Sequence, residues 1–325
     1  MNTGLPPDEN ITLPEIMRRF PEEKSAIEYF ESIRWQHGVV CPHCGNDDQN
    51  KFWKLDANKE KKVRVGLRQC AVCKKQFRVT VGTIFEDSHV PLNLWIIAWY
   101  LICGAKKGMS AMQLKRHLWG DDKGSYKTAW FMAHRIRHAM KDDIFARKLG
   151  GTVEMDETYI GGRVDNRDGS LTRTGYDNKV PVVALVERYG NVRSMVMEHV
   201  TAKNLLAAVE EHVAGNSAIV TDCSTKYYNL DKRKYTHYKV NHSKKEYARK
   251  ETKDFTAHSN TVESVFSLLK RGVMGSFHHV SKKHLPLYLA EFDFRWNHRT
   301  ITDGQRTVAA LRKADGKRLV MKKRK

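Results

Sequence analysis

Apolar residues recur at intervals of three and four over residues 11–37 (ITLPEIMRRF, then PEEKSAIEYFESIRW). That spacing predicts helix, with Pro21 suited to a first turn and acids behind it. From Val39 to about Val81 the pattern shortens to β-branched runs between glycine turns (KVRVGLRQC, QFRVTVGTIF), which predicts a small β-rich module. Helical spacing returns over residues 91–145 in three stretches. They are LNLWIIAWYLIC, then SAMQLKRHLW behind a Ser110–Gln113 capping-box pattern, then YKTAWFMAHRIRHAM behind Ser125. Further on, TVEMDETYIGG, VPVVALVE and NVRSMVMEHV predict strands, the last two forming a hairpin that turns at Arg188–Tyr189–Gly190. TAKNLLAAVEEHV predicts an amphipathic helix with Thr201 as its N-cap, and Ala218–Val220 a buried strand ending in Asp222. Two more helices are expected within residues 255–299. Lys232–Lys253, with nine basic residues and two acids, reads as a loop or as a charged lining. Arg312–Lys325, with eight basic residues and one acid, reads as a loose basic arm.

A length of 325 residues suggests about two domains at ~150 residues each. The charge balance changes the picture more. Fifty-seven basic against 37 acidic side chains leave a net +20, an excess that calls for a polyanionic partner, most commonly nucleic acid. No membrane partner is expected, because Leu92–Cys103 falls short of the ~20 apolar residues that span a bilayer. The N-terminus MNTGLPPDEN lacks the basic and apolar regions of a signal peptide, so a cytoplasmic location is expected.

Cys41-Pro-His-Cys44 and Cys70-Ala-Val-Cys73 are two CxxC turns, each aiming two thiolates at one point. Together they supply the four soft ligands of a closed structural zinc site, one ion per chain. The 25 residues between the pairs exceed the usual 15–20, and the polar KLDANKEKK fits a hairpin insertion. A redox CxxC would follow a strand and open a helix, a pattern not seen here. Cys103 and Cys223 read as inert core thiols.

In the third helical stretch, Trp130, Ala133 and Ile136 are expected to face a core. Lys127, Arg135, Arg137 and Lys141, with His134 and His138, would form a basic surface. A short helix followed by a basic one suggests helix-turn-helix DNA binding, with plain packing as the alternative. In the strand TVEMDETYI, Glu154, Asp156 and Thr158 share one face. Asp222 lies at a strand end, where open α/β sheets place their chemistry. In HSNTVESVFSLLKRG, Val262, Val265, Phe266 and Leu269 form the buried side, and Asn260, Glu263, Ser267 and Lys270 one polar stripe. Two strand aspartates, a helical glutamate and a lysine two turns on suit two-metal phosphoryl chemistry, with magnesium or manganese held by oxygen ligands.

Over residues 20–300 the chain resembles the DDE transposases of bacterial insertion sequences, in the branch with a zinc ribbon and an ISXO-type catalytic domain. The carriers are CPHCG with its second CxxC, QFRVTVGTIFEDSHVPLNLW, GMSAMQLKRHL, VEMDETYIGGR, IVTDCSTKY, HSNTVESVFSLLKRGVMGSFHHVSKKHL and EFDFRWNHR. The resemblance implies an α/β, RNase H-like catalytic domain, a mixed sheet with flanking helices, behind a zinc ribbon and a helix-turn-helix-like module. The expected division is 1–38 helical, 39–88 ribbon, 89–148 helical DNA-binding module, 149–302 catalytic domain and 303–325 basic tail. It implies two magnesium or manganese ions on Asp156, Asp222 and a third ligand, which is Glu263 or, as the alternative, Asn260. Lys270 and Arg271 would meet phosphates. The implied partner is double-stranded DNA, both the element's terminal inverted repeats and the target, bound by a homo-oligomer in the nucleoid. Two other readings are a DNA-binding regulator with an inactive RNase H-like domain and an RNase H-like nuclease. Retention of all the acids with Lys270 argues against the first, and the two DNA-reading modules against the second.

Overall fold

The computed structural model describes residues 11–58, 60, 63–141, 147–161, 179–232 and 235–320. The expected basic tail therefore lies partly outside the described residues, as do the first ten residues of the expected N-terminal segment. In chain order come α1 (Leu13–Arg19), α2 (Glu23–Arg34), β1 (Phe52–Lys54), β2 (Arg68–Cys70), β3 (Gln76–Phe77), α3 (Leu92–Gly104), α4 (Ala111–Trp119) and α5 (Tyr126–Met140). There follow β4 (Thr152–Ile160), β5 (Val180–Glu187), β6 (Val192–Val196), α6 (Ala202–His212), β7 (Ala218–Asp222) and β8 (Thr236–Val240). The chain ends with β9 (Ala248–Lys250), β10 (Thr256–His258), α7 (Asn260–Gly272), α8 (Leu285–Asn297) and α9 (Asp303–Arg312). These elements fall into two compact units. The first holds Met1–Ala105, Met109–Met140 and Thr300–Lys325, the second Lys106–Gly108 and Lys141–Arg299.

In the first unit β1, β2 and β3 form an antiparallel sheet packed under Phe77, whose ring meets Trp35 and Phe52 edge-on. α3 is apolar on nearly every side, so it is buried, with Trp99 and Ile102 fully excluded from water. α9 packs against α3 at the start of the stretch 303–325 that was expected to be a basic tail. Thr302 and Gln305 close a reciprocal capping box at its start, and Val308, Ala310 and Leu311 are buried. The expected basic surface of α5 is also corrected. Arg135 and Arg137 are 7% and 1% exposed, and His134 is buried too. Arg135 donates to the carbonyls of Ile84 and Glu86 at 2.8 and 2.9 Å and stacks on Phe131, while Arg137 donates to the Met109 carbonyl. Both guanidiniums thus serve the core rather than a DNA surface. Lys127 and Lys141 are exposed as expected.

The second unit is built on a five-stranded mixed sheet of order β6-β5-β4-β7-β8. β4 pairs antiparallel with β5, which pairs antiparallel with β6, whereas β4–β7 and β7–β8 are parallel. The period-two alternation along β4 and β5 divides the core between two faces. Val182, Ala184 and Val186 meet Val262, Val265, Phe266 and Leu269 of α7, together with Leu289 and Phe292 of α8. On the other face Val153, Met155, Val183 and Leu185 meet Leu205 and Val209 of α6. The basic stretch read as a loop or lining contains β8, an edge strand, and β9, which pairs with β10. Cys103 is buried as expected, but Cys223 is exposed. Among the described residues no helix is long and apolar enough to cross a membrane.

Candidate functional site

The cysteines are brought together by the ribbon's two turns. All four Sγ atoms lie within 4.8 Å of one another, with Cys41–Cys73 at 3.7 Å and Cys44–Cys70 at 3.8 Å. Four thiolates bonded to zinc at about 2.3 Å stand about 3.8 Å apart along each tetrahedral edge, so the quartet fits that ion. The Cys73 amide, and then that of Val72, bring the Cys70 thiol down to about 7 against burial. His43 is exposed and turns to the Gln76 carbonyl at 3.3 Å, outside the quartet.

The acids converge through strand register. Parallel pairing of β4 with β7 runs from Thr152↔Ala218 to Glu154↔Val220 and stops there. Asp156 and Asp222 lie two residues beyond that last pair, so they stand opposite each other where the strands part. Glu263 reaches the same place from α7, which packs on the face of β4 that carries Glu154, Asp156 and Thr158. Burial, then the charges of Glu157, Asp222 and Glu263, push the Asp156 carboxyl up to about 7, although the Glu157 amide donates to it at 2.8 Å. A cleft of about 810 Å³ opens here, lined by Asp156, Glu157, Glu263, Lys107, Lys270 and Arg271 among others. Asn260 is exposed and does not line it. The donor set is all oxygen and crowded with like charge, which suits hard divalent cations. Among the described residues the carboxylates are not drawn into a cluster as tight as the cysteines.

Two supporting acids were not assigned a role by the sequence pattern. Glu154 has no exposure to water. It accepts from the amides of Thr261 and Val262 at 2.8 and 3.1 Å, from the Thr261 hydroxyl at 2.8 Å and from Arg188 Nε at 3.1 Å. It thereby caps α7 from the strand on which the helix packs, while Arg188 also ties the carbonyls of Thr256 and His258. Only its placement on the Asp156 face signalled this role. Glu157 is held by Lys226 at 2.7 Å and by the Tyr227 hydroxyl, which fixes the turn after Asp222. Ser259 donates to Glu263 at 3.1 Å and meets His242 at 2.9 Å, which orients the Glu263 side chain. His278 and His279 are exposed, and neither they nor His284 joins a ligand group among the described residues.

Three outcomes follow from this geometry. Cys41→Ser should lose about one zinc per chain by metal analysis and unprotect the ribbon amides, since ~10 kcal/mol or more of metal binding is folding energy. Glu154→Ala strands Arg188 and uncaps α7, so urea unfolding should show a loss of about 3–5 kcal/mol. An unchanged midpoint would mean that α7 holds its start without the strand. Asp156 has a folded value above its unfolded 3.8, so folding takes up a proton and stability falls as pH rises from about 4 to 7. With zinc loaded but magnesium and manganese absent, Asp156→Asn should therefore raise Tm at pH 8. Each 1 kcal/mol relieved corresponds to about 2–4 °C. The gain should shrink as pH falls toward 5, and a constant gain would refute the titration.

Residues 148–297 match the ISXO2-like transposase domain, and residues 21–76 match the transposase zinc-ribbon domain. A Halobacterium salinarum protein described as an uncharacterized protein in transposable element ISH50 is 28% identical over 293 residues, covering 86% of this chain and 92% of that protein. An uncharacterized transposase-like protein of Haemophilus influenzae is 28% identical over 113 residues, 34% of this chain and 84% of that protein. With a transposase zinc ribbon ahead of an ISXO2-like domain, the chain belongs to the zinc-ribbon-bearing transposase family of insertion sequences.

Proposed function

We propose that the protein binds the ends of its insertion sequence and catalyses divalent-metal-dependent DNA cleavage and strand transfer at a DDE site of Asp156, Asp222 and Glu263. The observation that carries this reading is the β4–β7 register, which sets Asp156 opposite Asp222 at the point where the strands diverge. The sheet order, two antiparallel neighbours on one side of β4 and two parallel on the other, supports an RNase H-like fold. Glu263, rather than Asn260, is the third ligand, because it lines the cleft with Asp156 and brings charge. Held by these oxygens, two magnesium or manganese ions supply activation of the attacking oxygen and neutralisation of the leaving one.

The chain's own residues do the rest. Glu154 fixes the start of α7 and Ser259 orients Glu263, so the third carboxylate is presented to the two aspartates without searching rotamers. Lys270 and Arg271, two turns further along the stripe, meet the phosphates that flank the scissile bond. Water first frees a 3′-hydroxyl at the element end, and that hydroxyl then displaces a 3′-oxygen at a target phosphate. Both steps are in-line, so no serine or tyrosine need bond to DNA. The ribbon and the α4–α5 pair, with Lys127 and Lys141 exposed, would read the terminal repeats, in a homo-oligomeric complex at the nucleoid.

Purified protein with a duplex bearing the repeats that border its gene tests this. Asp156→Asn, Asp222→Asn and Glu263→Gln should each reduce cleavage and joining by on the order of 10²-fold or more. End binding should persist or rise, because removing a carboxylate removes repulsion of phosphate. Asn260→Ala should stay active. Loss of activity in Asn260→Ala with retention in Glu263→Gln would reverse the ligand assignment, and DNA trapped covalently on protein would overturn the mechanism.

A further inference from the structure

We propose that Lys107, in the connection between α3 and α4, is a DNA-phosphate-binding residue of the acidic cleft, working beside Lys270. The inference rests on the proposed function in taking DNA as the substrate. Lys106–Gly108 belong to the second unit although the residues on both sides belong to the first. Of the three, Lys107 lines the cleft together with Asp156, Glu157, Glu263, Lys270 and Arg271.

Backbone packing seats this residue. At Gly272, the last residue of α7, an added Cβ would stand 2.3 Å from Phe292 Cζ and 2.7 Å from the Lys107 carbonyl oxygen. At Gly108, whose φ is +81°, it would stand 2.3 Å from Phe277 Cζ. Two glycines on two elements thus let the connection lie directly on the end of α7, two residues past Lys270. Neither a longer side chain at 272 nor an L-residue at 108 allows that approach. A surface lysine on a free loop would show no such seat.

Charge supplies the second argument. Two cations next to this region are spent on acids, Arg188 on Glu154 and Lys226 on Glu157. Among the described residues Lys107 and Lys270 have no such partner, although three carboxylates line the same cleft. A DNA backbone entering an acid-lined cleft needs cations within a few ångströms to offset repulsion. Two unpaired ammonium groups at the rim meet that need as point charges that accept phosphate in many orientations.

Phosphate contacts carry no sequence information, so mixed-sequence duplex DNA is a sufficient probe. The full zinc-loaded chain with Asp156→Asn binds it without cleavage. Adding Lys107→Gln should flatten the log–log salt slope by about 0.9, equivalent to an affinity loss of about eightfold at 0.1 M salt. Lys107→Arg should keep the slope, and Lys106→Gln, exposed beside it but outside the cleft lining, should change neither value. Gly272→Ala, which pushes the connection away, should reproduce the loss. An unchanged slope in Lys107→Gln overturns the assignment, as does an equal loss in Lys106→Gln, which would signal bulk charge alone. Salt-independent binding by the parent chain would overturn this inference and the proposed function together, whereas steep binding without end cleavage by the unmutated chain would count against the function only.

Discussion

Glu154 is a carboxylate with no access to water, and its burial is possible only because several groups on separate elements converge on it. A lone charge moved from water into a protein interior costs several kcal/mol. Here two amides and a hydroxyl at the start of α7 and the guanidinium that follows β5 offset that cost. The amides also carry the positive end of the helix dipole, so the carboxylate is matched twice over. The arrangement fixes more than a helix start. α7 can neither slide along β4 nor turn about its own axis without breaking these bonds, and Glu263 lies one turn further along it. Strand alternation then places Asp156 on the same face as Glu154, two residues on. One buried carboxylate thus sets the distance from helix to strand on which the approach of Glu263 to Asp156 depends.

The same packing concentrates negative charge where it is least comfortable. The β4–β7 register brings two aspartates face to face, and burial raises one of them to about 7. A fold that only had to be stable would place a cation among them. The nearby lysines and arginines are instead either committed to other acids, as Lys226 is to Glu157, or held at the rim. The penalty is carried by the free protein and relieved by whatever positive charge binds there, so occupancy of the cleft and stability of the sheet are linked.

Much of this was legible in the sequence because it is periodic. The strands around Asp156 and Asp222, the hairpin at Tyr189, the buried face of α7 and its polar stripe all follow from periods of 2 and 3.6. The two CxxC turns are a local signal of the same kind. Residue identity misled where the partner was distant. Arg135 and Arg137 read as surface charge because their type is mostly exposed, yet backbone carbonyls up to 51 residues away satisfy them inside the core. Glu154 announced its face but not its role, since Thr261, whose amide it accepts from, lies 107 residues later. The parallel edge strand β8, of sequence THYKV, was masked because it carries no continuous apolar run. Lys107 gave no signal of its own, because its placement depends on Gly272 on a distant helix as well as on Gly108 beside it.

The cysteine quartet and the carboxylate cleft differ in how the protein prepares them, and the difference follows from ligand chemistry. The cysteine quartet has sulfur spacings that already match a zinc tetrahedron, set by two tight turns in a module whose apolar core is little more than Phe77 and its aromatic neighbours. Such a module has too little buried area to fold firmly without its ion, so the site must be closed and permanent. The carboxylates sit on a sheet with two full hydrophobic faces and need no ion to hold the fold. Their oxygens can stay apart and their cleft open. Closed soft-thiolate and open hard-oxygen donor sets thus share one chain, separated by geometry as well as by ligand type.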